Sequence, residues 1–100
     1  MKKSTKKLGS TDDLKQLHKA LLLLRTPDEA RKFLRDLCTI TEIRAMSERW
    51  IAAQMIAKGV PYREIAKKTG ISTSTITRVG HWLKDGEGGY ELVLKRISKK

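Results

Sequence analysis

The residues best suited to chemistry in this 100-residue chain lie between Tyr62 and His81. Ser72, Thr73, Ser74, Thr77, Arg78 and His81 fall at spacings that place them together on one side of a helix, facing away from Ile76 and Val79. Four hydroxyls, a guanidinium and an imidazole supply donors and acceptors for the base edges of double-stranded DNA. Arg63, Lys67, Lys68 and Lys84 flank this row and suit the oxygens of phosphates. The row holds no Asn or Gln and a single Arg, so few bidentate base pairings are available. Recognition should therefore lean on bridging water, thymine methyls and DNA shape.

Such a row is useful only if the surrounding chain holds it rigidly. Pro61 can open a short helix, Tyr62 to Thr69, which Gly70 must end, and Ser72 can cap the helix that follows. The link between them is a three-residue turn. Ala66 is small where two crossing helices touch, Ile65 and Ile71 flank the turn as apolar anchors, and Ile76 and Val79 face inward. This order defines a helix-turn-helix over residues 62–81, competing with a plain helical hairpin that has the same packing and no ligand. In the motif the second helix enters the major groove and the first crosses the phosphate backbone. If about five phosphates are neutralised per subunit, the log–log salt slope of affinity should be near −4 to −5 per subunit.

The remaining segments read as supports. Residues 1–10 carry Lys2, Lys3, Lys6 and Lys7 among Ser, Thr and Gly, a composition that predicts a mobile basic arm. The rest, 11–100, reads as one helical domain. Leu14, Leu17, Leu21 and Leu24 recur at helical spacing behind Asp12 and Asp13, predicting a first helix from Thr11 to about Arg25. Thr26-Pro27-Asp28-Glu29 reads as a capping box with proline at the first helical position, opening a second helix to about Cys38. Thr39-Ile40-Thr41-Glu42 opens a third, longest helix that Lys58 and Gly59 end. Its apolar residues, including Ile43, Met46, Trp50, Ile51, Met55 and Ile56, cover more than one stripe and so must be buried on more than one side. Tyr90, Leu92, Val93 and Ile97 predict a final short helix after the Gly-rich linker at 85–89. The fold class is all-α, a helical bundle, and the burial that the third helix demands favours an intertwined homodimer in which helices of both chains share one core over a compact monomer.

Composition narrows the function. Lys and Arg number 22 against 11 Asp and Glu, a net charge of +11 that favours a polyanion. The Leu21 to Leu24 run is far too short to span a membrane, and five aromatics in all make a membrane-surface helix a poor reading. A cytoplasmic location is expected. Cys38 is the one cysteine and packs rather than pairs; His18 and His81 lack ligand spacing, so no metal is expected. No nucleophile stands with a base, which argues against an enzyme. The charge would also suit an RNA-binding or ribosome-associated helical protein, but RNA recognition favours stacking surfaces, and the second motif helix offers only His81 and Trp82.

The stretch from Thr39 to Lys84, about half the chain, resembles the Trp repressor family, in particular its small members of the YerC/YecD type. The matching pieces are Thr39-Ile40-Thr41-Glu42, Glu48-Arg49, Arg63-Glu64-Ile65, Thr75-Ile76-Thr77-Arg78 and Leu83-Lys84. The resemblance implies an intertwined homodimer that binds a palindromic operator as a transcriptional repressor. It also implies an effector pocket, in which a tryptophan would sit among Thr39, Arg49 and Arg78. Val79 stands where the family has a glycine and takes space an indole needs, so no cofactor is expected. On the residues alone, Thr39 is a helix cap, Arg49 a solvated or ion-paired side chain and Arg78 a phosphate contact.

Overall fold

The computed structural model describes residues 11–98, and these form six α-helices with no strand among them. The basic arm expected at 1–10, and Lys99 and Lys100, lie outside the described residues. The chain divides between Thr39 and Ile40 into two compact units.

The first unit holds α1 (Thr11–Leu22) and α2 (Pro27–Leu37). α1 stops three residues short of the expected Arg25. Its exit is tightened by i to i−3 bonds, with the Leu23 amide donating to the Ala20 carbonyl at 3.1 Å and that of Leu24 to Leu21 at 3.3 Å. The Thr26 hydroxyl caps α2 by accepting from the Glu29 amide at 3.1 Å. The return half of the capping box differs from expectation. With Thr26 extended (φ −131°, ψ 159°), the Glu29 carboxylate accepts from the Arg25 amide at 2.8 Å, one residue earlier than the cap itself. Neither helix buries a residue within one chain.

The second unit holds α3 (Ile40–Ala57), α4 (Tyr62–Thr69), α5 (Thr73–Asp85) and α6 (Gly89–Ser98). α3 ends as its Lys58-Gly59 signal predicts. Gly59 is left-handed (φ 85°), its amide donates to the Ile56 carbonyl, and the Val60 amide reaches Met55 at 3.1 Å, the paired bonds of a Schellman motif. α5 packs on both α3 and α4, and α6 on α3. The core at this junction is Ala52, Ala53, Ile65, Ile71, Ile76 and Val79. Ala52 and Ala53 let α5 approach α3 closely, while the three isoleucines and Val79 come from the two motif helices and their turn. The parallel rings of Trp50 and Tyr90, 6.4 Å apart with planes 7° apart, hold α6 against α3. The burial of α3 on several sides is not met within one chain, where Ile40 and Ile51 remain exposed.

Candidate nucleic-acid interface

α4 and α5 form a helix-turn-helix on this core. α4 ends at Gly70, left-handed at φ 79°, whose amide donates to the Ala66 carbonyl at 2.9 Å. The Thr69 hydroxyl donates to the Ile65 carbonyl at 2.6 Å and accepts from the Ile71 amide at 3.0 Å, tying the turn to the helix before it. Ser72 then caps α5, its hydroxyl accepting from the Thr75 amide at 3.2 Å and donating to the Thr75 hydroxyl at 2.9 Å. Ser74 lies 3.3 Å from the same oxygen. The turn is thus fixed at both ends by local hydrogen bonds and in the middle by buried Ile71.

Ser72, Thr73, Ser74, Thr77, Arg78 and His81 are all exposed, opposite the fully buried Ile76 and Val79. Arg63, Lys67, Lys68 and Lys84 are exposed as well. Two local contacts with carboxylates temper the field. Lys68 Nζ lies 3.5 Å from Glu64, and His81 Nδ1 lies 3.6 Å from Asp85, each one helical turn away. Both pairs are solvent-exposed and hold their partners weakly. Pro61, Arg63, Glu64, Lys67 and Lys68 line a shallow depression along α4, where a phosphate ridge could lie.

Behind α5, Arg49, Thr75, Arg78, Val79, Trp82 and Tyr90 line a space of about 360 Å³. The structure therefore brings Arg49 and Arg78 to one cavity. Thr39, the third expected pocket residue, ends the first unit and is exposed. The two guanidiniums suit a carboxylate, but the apolar wall is made by Val79 and by the chain's own Trp82 and Tyr90 rings. Sequence patterning did not single out Thr69, Tyr62 or Gly80. Thr69 could have been found as a hydroxyl beside a helix-ending glycine, and Gly80 as a glycine inside a helix.

Comparison with known proteins bears on this arrangement directly. The sequence profile described as Trp repressor protein matches residues 12–98. The "uncharacterized protein YerC" of Bacillus subtilis is 39% identical over 87 residues, covering 87% of this chain and 84% of that one. The chain belongs to the Trp repressor family. A second family relative, the Trp operon repressor homolog of Chlamydia caviae, is 31% identical over 77% of each chain. The structure of a TrpR-like protein from Eubacterium eligens superposes with a TM-score of 0.83 at 42% identity, covering 91% of this chain and 93% of the other. A structure offered as a Trp repressor from Staphylococcus aureus gives 0.85 at 36% identity, with 91% of each chain covered. Trp repressor family proteins are DNA-binding transcription regulators rather than enzymes, and a helix-turn-helix fits this all-helical fold. No helix of the described residues is long and apolar enough to cross a membrane.

Proposed function

We propose that this protein is a homodimeric repressor that occupies a palindromic operator in the cytoplasm, laying α5 of each subunit in a major groove. The observation that carries this reading is the exposed row of five residues on α5 and its cap Ser72, backed by a core in which Ile65, Ile76 and Val79 have no solvent exposure. In this reading Thr73, Ser74 and Thr77 meet base edges, directly or through water, with Arg78 and His81 beside them and Ser72 at the entry of the helix. Arg63, Lys67, Lys68 and Lys84 neutralise phosphates. Repression follows from occupancy: a bound dimer excludes other proteins from the same DNA.

The dimer is supported by apolar surface that a single chain leaves in water. Leu14, Leu17 and Leu21 on α1, Ile51 on α3, and Leu92, Val93 and Ile97 on α6 are all at least 36% exposed. Burying such side chains is worth about 1.5–3 kcal/mol each when complete, a strong drive to associate. Two-fold symmetry then matches a palindrome whose half-sites lie about one helical turn apart. The repressor is expected to act without tryptophan or another small effector, since aromatic rings of the chain itself already line the space between Arg49 and Arg78.

Selection of bound sequences from a random duplex pool tests the function, with a random RNA pool run in parallel. A palindrome should emerge from the DNA arm. Enrichment in the RNA arm alone, or DNA sequences without dyad symmetry, would sink the proposal.

A further inference from the structure

Gly80 sits in the middle of α5, where glycine costs a helix about 1 kcal/mol relative to alanine. Its backbone is ordinary right-handed helix, so glycine's conformational freedom is not what the position uses. What it uses is space. A Cβ at Gly80 would overlap the Tyr62 hydroxyl and lie 2.9 Å from Tyr62 Cζ, which is closer than real Cβ atoms approach a neighbour. Tyr62, the first residue of α4, thus sets the hydroxyl end of its ring against the backbone of α5 at Gly80, with 43% of its surface still in water.

The place of this contact in the motif gives it a role. α4 and α5 are joined at one end by the turn, between Thr69 and Thr73. Tyr62 is seven residues back from Thr69, and Gly80 is seven residues on from Thr73. At 1.5 Å per residue both lie about 10 Å from the turn, at the open end of the wedge that the two helices make. The turn and the buried Ile65, Ile71, Ile76 and Val79 seat the two helices against each other near the turn. Tyr62 on Gly80 adds a contact at the open end, where a small change of angle moves the helix most.

From this geometry we propose that Tyr62 is a positioning residue for DNA recognition: its ring on Gly80 sets the angle of α5 and so the depth at which Thr73, Ser74 and Thr77 enter the groove. The proposal rests on the DNA-binding function given above. Phosphate contacts tolerate a small rotation because Lys and Arg are long and flexible, whereas short Ser and Thr side chains cannot follow a base edge that moves away. Loss of Tyr62 therefore costs discrimination rather than general attraction to DNA.

The test uses the full chain and the variants Tyr62→Ala, Tyr62→Phe, Gly80→Ala and the double Tyr62→Ala/Gly80→Ala. Affinity is measured for the duplex that the wild type selects and for a scrambled duplex of equal length, at a temperature where circular dichroism shows each variant folded, and melting temperatures are recorded. Tyr62→Ala should lower the ratio of selected to scrambled affinity by about tenfold or more while the scrambled affinity stays within about twofold. Tyr62→Phe, which keeps the ring, should hold the ratio within about threefold. Gly80→Ala should raise the melting temperature clearly less in the wild-type background, where the hydroxyl end of Tyr62 must move aside, than in the Tyr62→Ala background, where the methyl meets open space and alanine favours the helix.

A ratio unmoved by Tyr62→Ala overturns the positioning role. So does an equal fall in both affinities for Tyr62→Ala or Tyr62→Phe, which would make the hydroxyl a simple phosphate contact. A Gly80→Ala effect of the same sign and size in both backgrounds removes the contact itself, and this melting cycle needs no DNA. A wild type that selects no duplex overturns the DNA reading instead, whatever the melting cycle gives.

Discussion

The Ile71 amide donates to the Thr69 hydroxyl at 3.0 Å, so the buried anchor of the turn is held by the last residue of the helix before it. The same hydroxyl donates to the Ile65 carbonyl at 2.6 Å, and one side chain thereby links two of the buried isoleucines that seat α5. Thr69→Val keeps the shape and removes both bonds. It should destabilise the fold by about 1–3 kcal/mol, because the Ile71 amide loses its partner in a partly buried place. For a domain of this size that is a fall in melting temperature of about 4–8 °C per kcal/mol, read by thermal circular dichroism. An unchanged melting temperature would mean that Gly70 and Ile71 hold the turn without it.

Ser72 and Thr77 should separate stability from binding. Ser72 caps α5, accepting from the Thr75 amide at 3.2 Å, so Ser72→Ala should cost about 1 kcal/mol of stability. Thr77 is exposed on the outward row, and Thr77→Glu should leave melting nearly unchanged while abolishing duplex binding, since it sets a carboxylate against phosphates. Retained binding by Thr77→Glu, measured by fluorescence anisotropy, would remove α5 from the interface.

These contrasts also mark how far the sequence was legible. Helix ends governed by the backbone were readable, because only certain residues satisfy a capped amide or a left-handed turn: Gly59, Gly70 and Ser72 do what their types predict. The core of the motif was readable too, since Ile65, Ile71, Ile76 and Val79 follow the spacing that two crossing helices impose. The end of α1 was not. A leucine run gives no stop signal, and the last turn closed through i to i−3 bonds instead. Tyr62 and Gly80 escaped because each means little alone. An exposed tyrosine and a helical glycine become a contact only when α4 lies across α5, which is tertiary information. Arg49 and Arg78 lie 29 positions apart, and it was family resemblance, not spacing, that linked the two guanidiniums now found lining one cavity.

Phosphate contacts should show in the salt dependence. Arg63→Ala should reduce the log–log slope by about one unit per subunit for any duplex, specific or not. Lys68→Ala should reduce it less, because Lys68 already pairs with Glu64 at 3.5 Å. Glu64→Gln should raise affinity for every duplex by freeing Lys68 and removing a negative charge beside the backbone. Titrations at several salt concentrations check all three, and equal slopes across the set would move the phosphate ridge away from α4.

Dimerisation should be visible without DNA. Light scattering should give a mass near twice 11.4 kDa. Leu92→Glu and Ile97→Glu on α6 should shift the protein toward monomer and lower its melting temperature, because each places a charge on surface that a partner would bury. A wild type that runs as a monomer at micromolar concentration would leave the exposed leucines of α1 and α6 to some other cover.

The space between Arg49 and Arg78 gives the sharpest prediction about regulation. A ligand that binds only the folded protein raises its melting temperature by mass action, by an amount set by concentration over dissociation constant. Free tryptophan at millimolar concentration should leave both melting temperature and duplex affinity unchanged, because Val79, Trp82 and Tyr90 already form the apolar wall that an indole would need to enter. The control is Trp82→Ala, which removes a large ring that is 54% exposed and so should cost little stability. If the wall is what excludes the ligand, this variant should gain a tryptophan-dependent rise in melting temperature that Arg49→Ala abolishes, since the carboxylate then loses one of its two guanidiniums. A clear shift in the wild type would instead make the cavity an open effector site, and the repressor one that answers to an aromatic acid.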